Sequence, residues 1–318
     1  MADLCVLTGN RNHGFCKLSD VKIFFLLNPS QPKYQWDYRE AAARAAHRFG
    51  WTARFGQVDR ERPLSSENLL RQALEEECTR IVAIGGDGTL HRAVNFLWRQ
   101  NRLKTIEIAV APAGTCNDFA RAMGLSRKKF DEALRVACAG HPRATDLALM
   151  DDEMFLNNAG FGRRLVPAAR RRLRPLRALR SFQPIPLHAT WEKGSIEGTF
   201  YMALACNSRF FSGGLYFSKN PRVNDGLLDI YLVPRMTKWK LLPRLLMGRL
   251  GRPVGSRQIV TLRVHHLDIE TTVDLWPQAD GEPPVKATRR VRFSIAPEKA
   301  MIVAPEKLKE PSLWGQPT

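Results

Sequence analysis

The sequence has no long hydrophobic run. Near the N-terminus its longest uncharged apolar stretch is Ile23 to Leu27, too short for a membrane span or for the apolar core of a secretory leader. Residues Met1 to Asp20 are polar and carry no targeting pattern. Cysteine is sparse, and Cys5, Cys16, Cys78, Cys116, Cys138 and Cys206 lack metal-ligand or disulfide-framework spacing. They read as reduced thiols, which points to the cytoplasm. The seven histidines show no metal spacing either, and His265 and His266 are expected to alternate across a strand. There is no internal repeat and no low-complexity tract. Two nucleotide signatures are missing, the GxxxxGK[ST] of a P-loop and the GxGxxG of a dinucleotide fold. The aromatic-and-basic pattern of a nucleic-acid binder is missing too, which argues against nucleic acid as a partner. Acid is also scarce: 31 Asp plus Glu stand against 49 Lys plus Arg, a net charge of +18.

That excess of base calls for an anionic partner surface. Its densest part is Arg163 to Arg180, where arginines are interleaved with Leu165, Val166, Leu173, Leu176 and Leu179. A membrane-surface segment has this mixture, each near-surface cation contributing about 1 kcal/mol against an anionic leaflet; a solvated helix face would have it too. Lys238 to Leu250 has helical spacing and a Trp, and core packing explains it equally well. At 318 residues and 44% hydrophobic content, the chain is long enough for two cores.

The order of elements supports two domains. A buried strand from Val21 to Leu27 is followed by an Ala-rich helix over Tyr38 to Phe49, a strand over Trp51 to Phe55, and a helix over Ser66 to Glu77. A strand over Ile106 to Val110 and two helices, closed by Gly124 and Gly140 as C-caps, complete an α/β pattern with a parallel sheet. From about Thr145 the pattern changes to short β segments: Thr145 to Met150, Met154 to Asn158, Thr199 to Cys206, Leu227 to Val233, Gln258 to Val264, Leu267 to Val273, Arg292 to Ala296 and Ala300 to Ala304. These predict an antiparallel β-sandwich. The expected division is an extension over 1–20, a nucleotide-binding α/β domain over 21–144, a β-sandwich substrate domain over 145–305, whose last segment returns to the first domain, and a tail over 306–318.

The chemistry is concentrated in Ile81 to Leu97, IVAIGGDGTLHRAVNFL, where a β-branched strand runs into a glycine-rich turn and then an amphipathic helix. Gly85, Gly86 and Gly88 can take positive φ and let backbone N–H groups approach an anion, and the helix adds the positive end of its dipole. Asp87 would repel that anion unless a divalent cation, or a group it positions, lies between them, so the loop predicts nucleotide plus magnesium. A second strand-turn-helix passage follows in IAVAPAGTCNDFARAMGL, Ile108 to Leu125. Further on come NDGLLD, starting at Asn224, and the DGE of Asp280 to Glu282.

In this order, GGDGT, PAGTxND, NDGLLD and DGE, the motifs resemble the diacylglycerol kinase catalytic domain family, in the soluble bacterial lipid kinase branch of a superfamily shared with sphingosine kinases and NAD kinases. The resemblance covers roughly Val21 to Pro305. It implies a Rossmann-like domain of NAD kinase/diacylglycerol kinase type plus a β-sandwich, and a magnesium-dependent kinase that moves the γ-phosphoryl group of ATP to a lipid hydroxyl, diacylglycerol first. Nucleotide contacts are then expected from Asn28, Gly85, Gly86, Asp87, Gly88, Thr89, Leu90, His91, Thr115 and Asn117. Glu282 would be the general base, Asp280 would orient it, and Asp87 would link it to catalytic Mg2+. A second Mg2+ site is implied at Asp225 with the carbonyls of Arg222 and Leu227. For Asn117, a helix N-cap role is equally physical.

Two departures from the family pattern are visible. No glycine follows Asn28 and Pro29 closely, and His91 and Arg92 stand where many members carry Asn-Glu. A sphingoid base or another lipid remains an alternative substrate, as does an NAD kinase-like reaction, although that group typically carries Asn-Glu where this chain has Asn117 and Asp118. A non-catalytic binder of anionic surfaces is the alternative from another class. Asp87, Asp225 and Glu282 argue against it, since a binder has no use for a base. Peripheral association with the inner membrane surface through the Arg163 to Arg180 region is expected, and a homodimer is left open.

Overall fold

In the computed structural model the described residues are 22–28, 37–59, 65–162, 183–211, 214–216, 222–236, 243, 247–248, 250, 258–282, 287–306 and 313–314. The first half alternates β1 (Lys22–Leu27), α1 (Tyr38–Arg48), β2 (Thr52–Gln57), α2 (Ser65–Glu75), β3 (Arg80–Gly85), α3 (Asp87–Arg99), β4 (Glu107–Pro112), α4 (Asp118–Ala122) and α5 (Phe130–Ala139). Its strands pair in parallel in the order β2, β1, β3, β4. Apolar runs such as IFFLL in β1 and IVAI in β3 suit this arrangement, because parallel strands are buried on both faces. Helix α1 begins at Asp37, whose carboxylate accepts the Glu40 amide at 2.9 Å, and lays Ala41, Ala42 and Ala46 against the sheet.

Arg80 is buried at the start of β3 without being unsatisfied. Its guanidinium meets Glu107 at 2.5 Å, donates to the Ala137 and Cys138 carbonyls that end α5, and lies over the Trp51 ring. A cation there complements the negative end of the helix dipole.

The second half contains β5 (His141–Met150), β6 (Glu153–Phe155), β7 (Asn158–Phe161), β8 (Ile185–Trp191), β9 (Gly194–Cys206), β10 (Phe210–Phe211), β11 (Leu215–Tyr216), β12 (Leu228–Pro234), β13 (Val260–Val264), β14 (His266–Leu275), β15 (Gln278–Ala279) and β16 (Thr288–Ala304). The order β13, β12, β9, β8, β14, β16 is antiparallel throughout. Strand β9 is covered on both sides: Phe200, Ala203 and Ala205 join a core with Leu228, Ile269 and Phe293, while Met202, Leu204 and Cys206 pack with Tyr231 and Val233. This is an α/β domain with parallel strands followed by an antiparallel sandwich.

The halves are joined by β16. Its first part pairs antiparallel with β14, it pairs antiparallel with β5 from Phe293 to Ala304, and its end also runs parallel to β4 through Met301 and Ile302. The two expected segments at 292–296 and 300–304 are thus one strand. Strand β8 was not expected from sequence; its Ile185, Leu187, Ala189 and Trp191 alternate with Pro186, His188 and Thr190. The expected strand from Met154 to Asn158 is split, because the amides of Leu156 and Asn157 turn toward Asp280 instead of a neighbouring strand. Gly124 caps its helix with φ +80 and a Leu125 amide bond back to Ala120. Gly140 is the C-cap of α5, its amide donating to the Val136 carbonyl at 2.7 Å, but with φ −72 and no left-handed backbone. It is glycine because a Cβ would lie 2.5 Å from the Val136 carbonyl oxygen and 2.6 Å from that of Ala304. Near the C-terminus, Trp314 is buried and donates its indole N–H to Thr145 Oγ1 at 3.1 Å. Among the described residues no helix is long and apolar enough to cross a membrane. The Arg163 to Arg180 stretch, Lys238 to Leu242, residues 1–20 and Pro29 to Pro32 lie outside the described residues.

Candidate active site

The two glycine turns, at the carboxyl ends of β3 and β4, pack directly on one another. A Cβ on Gly114 would lie 2.2 Å from the Cα of Gly86, and one on Gly85 would lie 2.3 Å from Thr89 Oγ1. None of Gly85, Gly86 and Gly88 has positive φ, so the left-handed backbone open to them is not used. They are glycine for close approach. Thr89 also differs from expectation: its hydroxyl is buried and accepts from Asn28 Nδ2 at 3.1 Å, so it braces the loop from inside. Leu90 is part of the first core, leaving its side chain nothing to offer a nucleotide. Thr115 is exposed at the mouth of the second turn. The amides of Asp87 and Gly88 begin α3, where a helix supplies no internal partner.

Asn117 sits just before α4 with φ +53 and makes no cap bond to that helix. Its amide group instead accepts the Gly114 N–H and donates to the Gly114 carbonyl, both at 2.9 Å, clamping the turn. The capping of α4 falls to Asp87. Its carboxylate accepts the Asp118 and Phe119 amides at 3.0 Å each and the Asn157 side-chain amide at 3.2 Å. Burial, with the charge of Asp118 adding to it, lifts the Asp87 carboxyl to about 6 although the two amide bonds pull the other way. Asn157 is a residue sequence reasoning missed. It reaches Asp87 from the second half and is fixed by the Ser208 hydroxyl at 2.8 Å.

The DGE turn brings the second half over this loop. Asp280 and Gly281 have φ +50 and +84, and the Glu282 amide returns to the Ala279 carbonyl at 2.8 Å, a type I′ turn for which Asp-Gly is well suited. The Asp280 side chain is buried, and its carboxylate accepts the amides of Leu156, Asn157 and Asn158 at 2.9, 2.8 and 3.2 Å. Glu282 projects past the turn onto α3. A Cβ at Gly88 would lie 2.0 Å from Glu282 Oε1, so the glycine makes room for this carboxylate. Arg92 holds the other oxygen at 3.3 Å.

His91 is a further correction. Grouped by sequence with the nucleotide contacts, it is 3% exposed and faces the seam between the halves. Its Nδ1 lies 3.3 Å from Asp280 and its Nε2 2.9 Å from Glu153. Burial alone would lower its pKa, but hydrogen bonds to those two carboxylates outweigh it and raise it to about 9. One and two turns along α3, Asn95 exchanges bonds with both backbone groups of Met154 and Arg99 pairs with Glu153. A polar stripe at helical spacing within an otherwise apolar helix was the available signal for this contact.

Residues 22–150 match the diacylglycerol kinase catalytic domain, and residues 157–304 match the YegS C-terminal NAD kinase beta sandwich-like domain. A protein of Pseudomonas aeruginosa named probable lipid kinase YegS-like is 30% identical, over 73% of this chain and 78% of its own. The chain belongs to the YegS/diacylglycerol kinase family. A probable lipid kinase YegS-like of Shewanella frigidimarina is 29% identical, over 76% of this chain and 82% of its own. The diacylglycerol kinase of Bacillus subtilis is 24% identical, over 67% and 74%. In architecture this family member resembles the crystal structure of a diacylglycerol kinase from Bacillus anthracis, with a TM-score of 0.72 at 18% identity, covering 91% of this chain and 98% of the other. The lipid kinase fold is therefore in hand, and with it ATP as phosphoryl donor.

The two expected magnesium sites of this lipid kinase differ in fit. At Asp87, a carboxyl lifted by burial and by Asp118 suits a cation that would relieve that charge. No three His, Cys, Asp or Glu side chains among the described residues form a metal-holding group, so the remaining ligands there would be nucleotide phosphates and water. At Asp225 the residues do not fit. One oxygen is 2.5 Å from the Arg263 guanidinium and the other accepts the Leu227 amide. Arg263 also reaches Asp229 at 3.2 Å, and Arg222 is exposed beside this loop. A resident cation already neutralises this pair of carboxylates.

Proposed function

We propose that this lipid kinase transfers the γ-phosphoryl group of ATP to the free hydroxyl of diacylglycerol, giving phosphatidic acid and ADP. The observation that carries this reading is the Glu282 carboxylate of the second half lying against Gly88 at the start of α3. Phosphoryl transfer passes through a loose transition state, so it needs alignment, charge neutralisation and an acceptor for the alcohol proton. Backbone N–H groups at the start of α3 and the positive end of its dipole bind the phosphates, and Thr115 and Asn117 border the nucleotide. Asp87, with the nucleotide phosphates, would hold magnesium, which when bound would supply neutralisation of the triphosphate charge. Glu282 takes the hydroxyl proton as the new O–P bond forms and the bond to the β-phosphate oxygen breaks, with the electron pair leaving on ADP. Diacylglycerol presents that hydroxyl at a membrane surface, and the net charge of +18 supports peripheral binding to an anionic leaflet.

The test supplies labelled ATP and magnesium with separate vesicle preparations carrying diacylglycerol, a sphingoid base or a total lipid extract, and with soluble NAD. Label in phosphatidic acid supports the reading. Label confined to the sphingoid base or to NAD replaces the substrate, and no transfer in any arm overturns the kinase chemistry assigned to these residues.

A further inference from the structure

We propose that His91 is a positioning residue for Glu282, acting through Asp280 at the root of the DGE turn. The inference rests on Glu282 being the general base. It follows from a closed circuit of contacts. Helix α3 carries Gly88, on which the Glu282 carboxylate rests, and one turn later carries His91, whose Nδ1 lies 3.3 Å from Asp280 Oδ2. Asp280 occupies left-handed backbone, φ +50, in the turn that returns the Glu282 amide to Ala279. Non-glycine residues adopt that backbone at a cost and persist there when their surroundings over-determine them. Here the surroundings are three amides and one imidazole, all on the carboxylate of Asp280.

The amides belong to the second half, while the imidazole is the contact from α3, and so from the element that begins in the phosphate loop. His91 therefore ties the position of the base to the position of the phosphate loop. The charged groups facing it are Asp280 on the turn and Glu153 on β6, and Arg99 stands behind Glu153.

A bland alternative is that His91 merely fills the seam through its Glu153 contact. Two variants separate the readings, because Asn places an amide N–H near the place of Nδ1 and Gln near the place of Nε2. His91→Asn keeps a donor for Asp280 and gives up Glu153; His91→Gln does the reverse. We expect His91→Asn to keep kcat within about threefold of wild type, and His91→Gln to lose about tenfold or more with the KM for ATP unchanged. Asp280→Asn should reproduce the His91→Gln loss, since a neutral amide there holds the circuit less firmly. Thermal midpoints and affinity for an ATP analogue, measured on every variant, show that the fold and the nucleotide site survive. Equal kcat in His91→Asn and His91→Gln, or the opposite ranking, overturns the proposal. Glu282→Gln is assayed separately: full activity there removes the base itself, whereas an inactive Glu282→Gln beside indistinguishable His91 variants removes only the role given to His91.

Discussion

Gly88→Ala isolates the contact on which the chemistry turns. A Cβ at this position would stand 2.0 Å from Glu282 Oε1, 3.2 Å from its Cδ and 3.9 Å from its Cγ. To restore an ordinary separation the carboxylate must retreat by about 1.4 Å, and it can do so cheaply because it is the far end of a flexible side chain. The helix does not suffer, since Gly88 has no positive φ and alanine is the better helix former by up to about 1 kcal/mol. Stability should therefore be unchanged or slightly higher, and affinity for an ATP analogue should be kept. The base is displaced, and a misplacement near 1 Å costs about 10²-fold, or about 2.7 kcal/mol in the barrier. The assay is kcat for lipid phosphorylation beside a melting curve of the same preparation. Wild-type kcat in a well-folded Gly88→Ala protein would refute the reasoning. Gly114→Ala is the contrast: its Cβ would meet the backbone of Gly86 at 2.2 Å, where nothing can give, so it should fail in stability before it fails in chemistry.

Three further outcomes follow from the structure. His91 has its pKa raised to about 9 from 6.5, so its stabilising pairing with Asp280 and Glu153 is fully present below about pH 6.5 and is lost as the pH rises through 9; the alkaline fall of the thermal midpoint over this window should be smaller in His91→Gln. Arg80→Ala should destabilise by about 1–3 kcal/mol in denaturant unfolding, because it leaves the buried carbonyls of Ala137 and Cys138 without a donor and the partly exposed Glu107 without its cation. Removing the resident cation with Arg263→Gln should expose Asp225 and Asp229 together, so that titration with Mn2+ in the absence of nucleotide gains a binding event over wild type; an unchanged stoichiometry would contradict the part given to Arg263.

The elements that sequence periodicity located well are those whose environment is set locally. Strands β1, β3 and β4 are uninterrupted apolar runs, and α1 and α2 each carry one apolar stripe. The strand β8 was missed because its alternating residues include Pro186, His188 and Thr190, which signal nothing by themselves; partners distant in sequence, β9 and β14, make it a strand. In the site, the GGDGT and DGE motifs meet in the structure, but the reason for each glycine was not legible in the sequence. Gly86 answers to Gly114 and Gly88 to Glu282, contacts formed only in three dimensions. For Asn117 a nucleotide contact and a helix cap were both open from sequence; Asp87 caps that helix from 31 positions away and Asn117 clamps its own turn. His91 stood inside the nucleotide motif and belongs to the seam, because a helix that starts at a phosphate loop turns successive residues to different neighbours. The family resemblance assigned Asp225 to a metal, while Arg263, which answers its charge, arrives from β13.

The most direct measurement of the central claim is single-turnover transfer from labelled ATP to diacylglycerol in vesicles, with wild type and Glu282→Gln compared at matched nucleotide occupancy. If Glu282 accepts the hydroxyl proton, the variant binds ATP as wild type does and transfers label at least about 10²-fold more slowly. Transfer at the wild-type rate in Glu282→Gln would contradict the account.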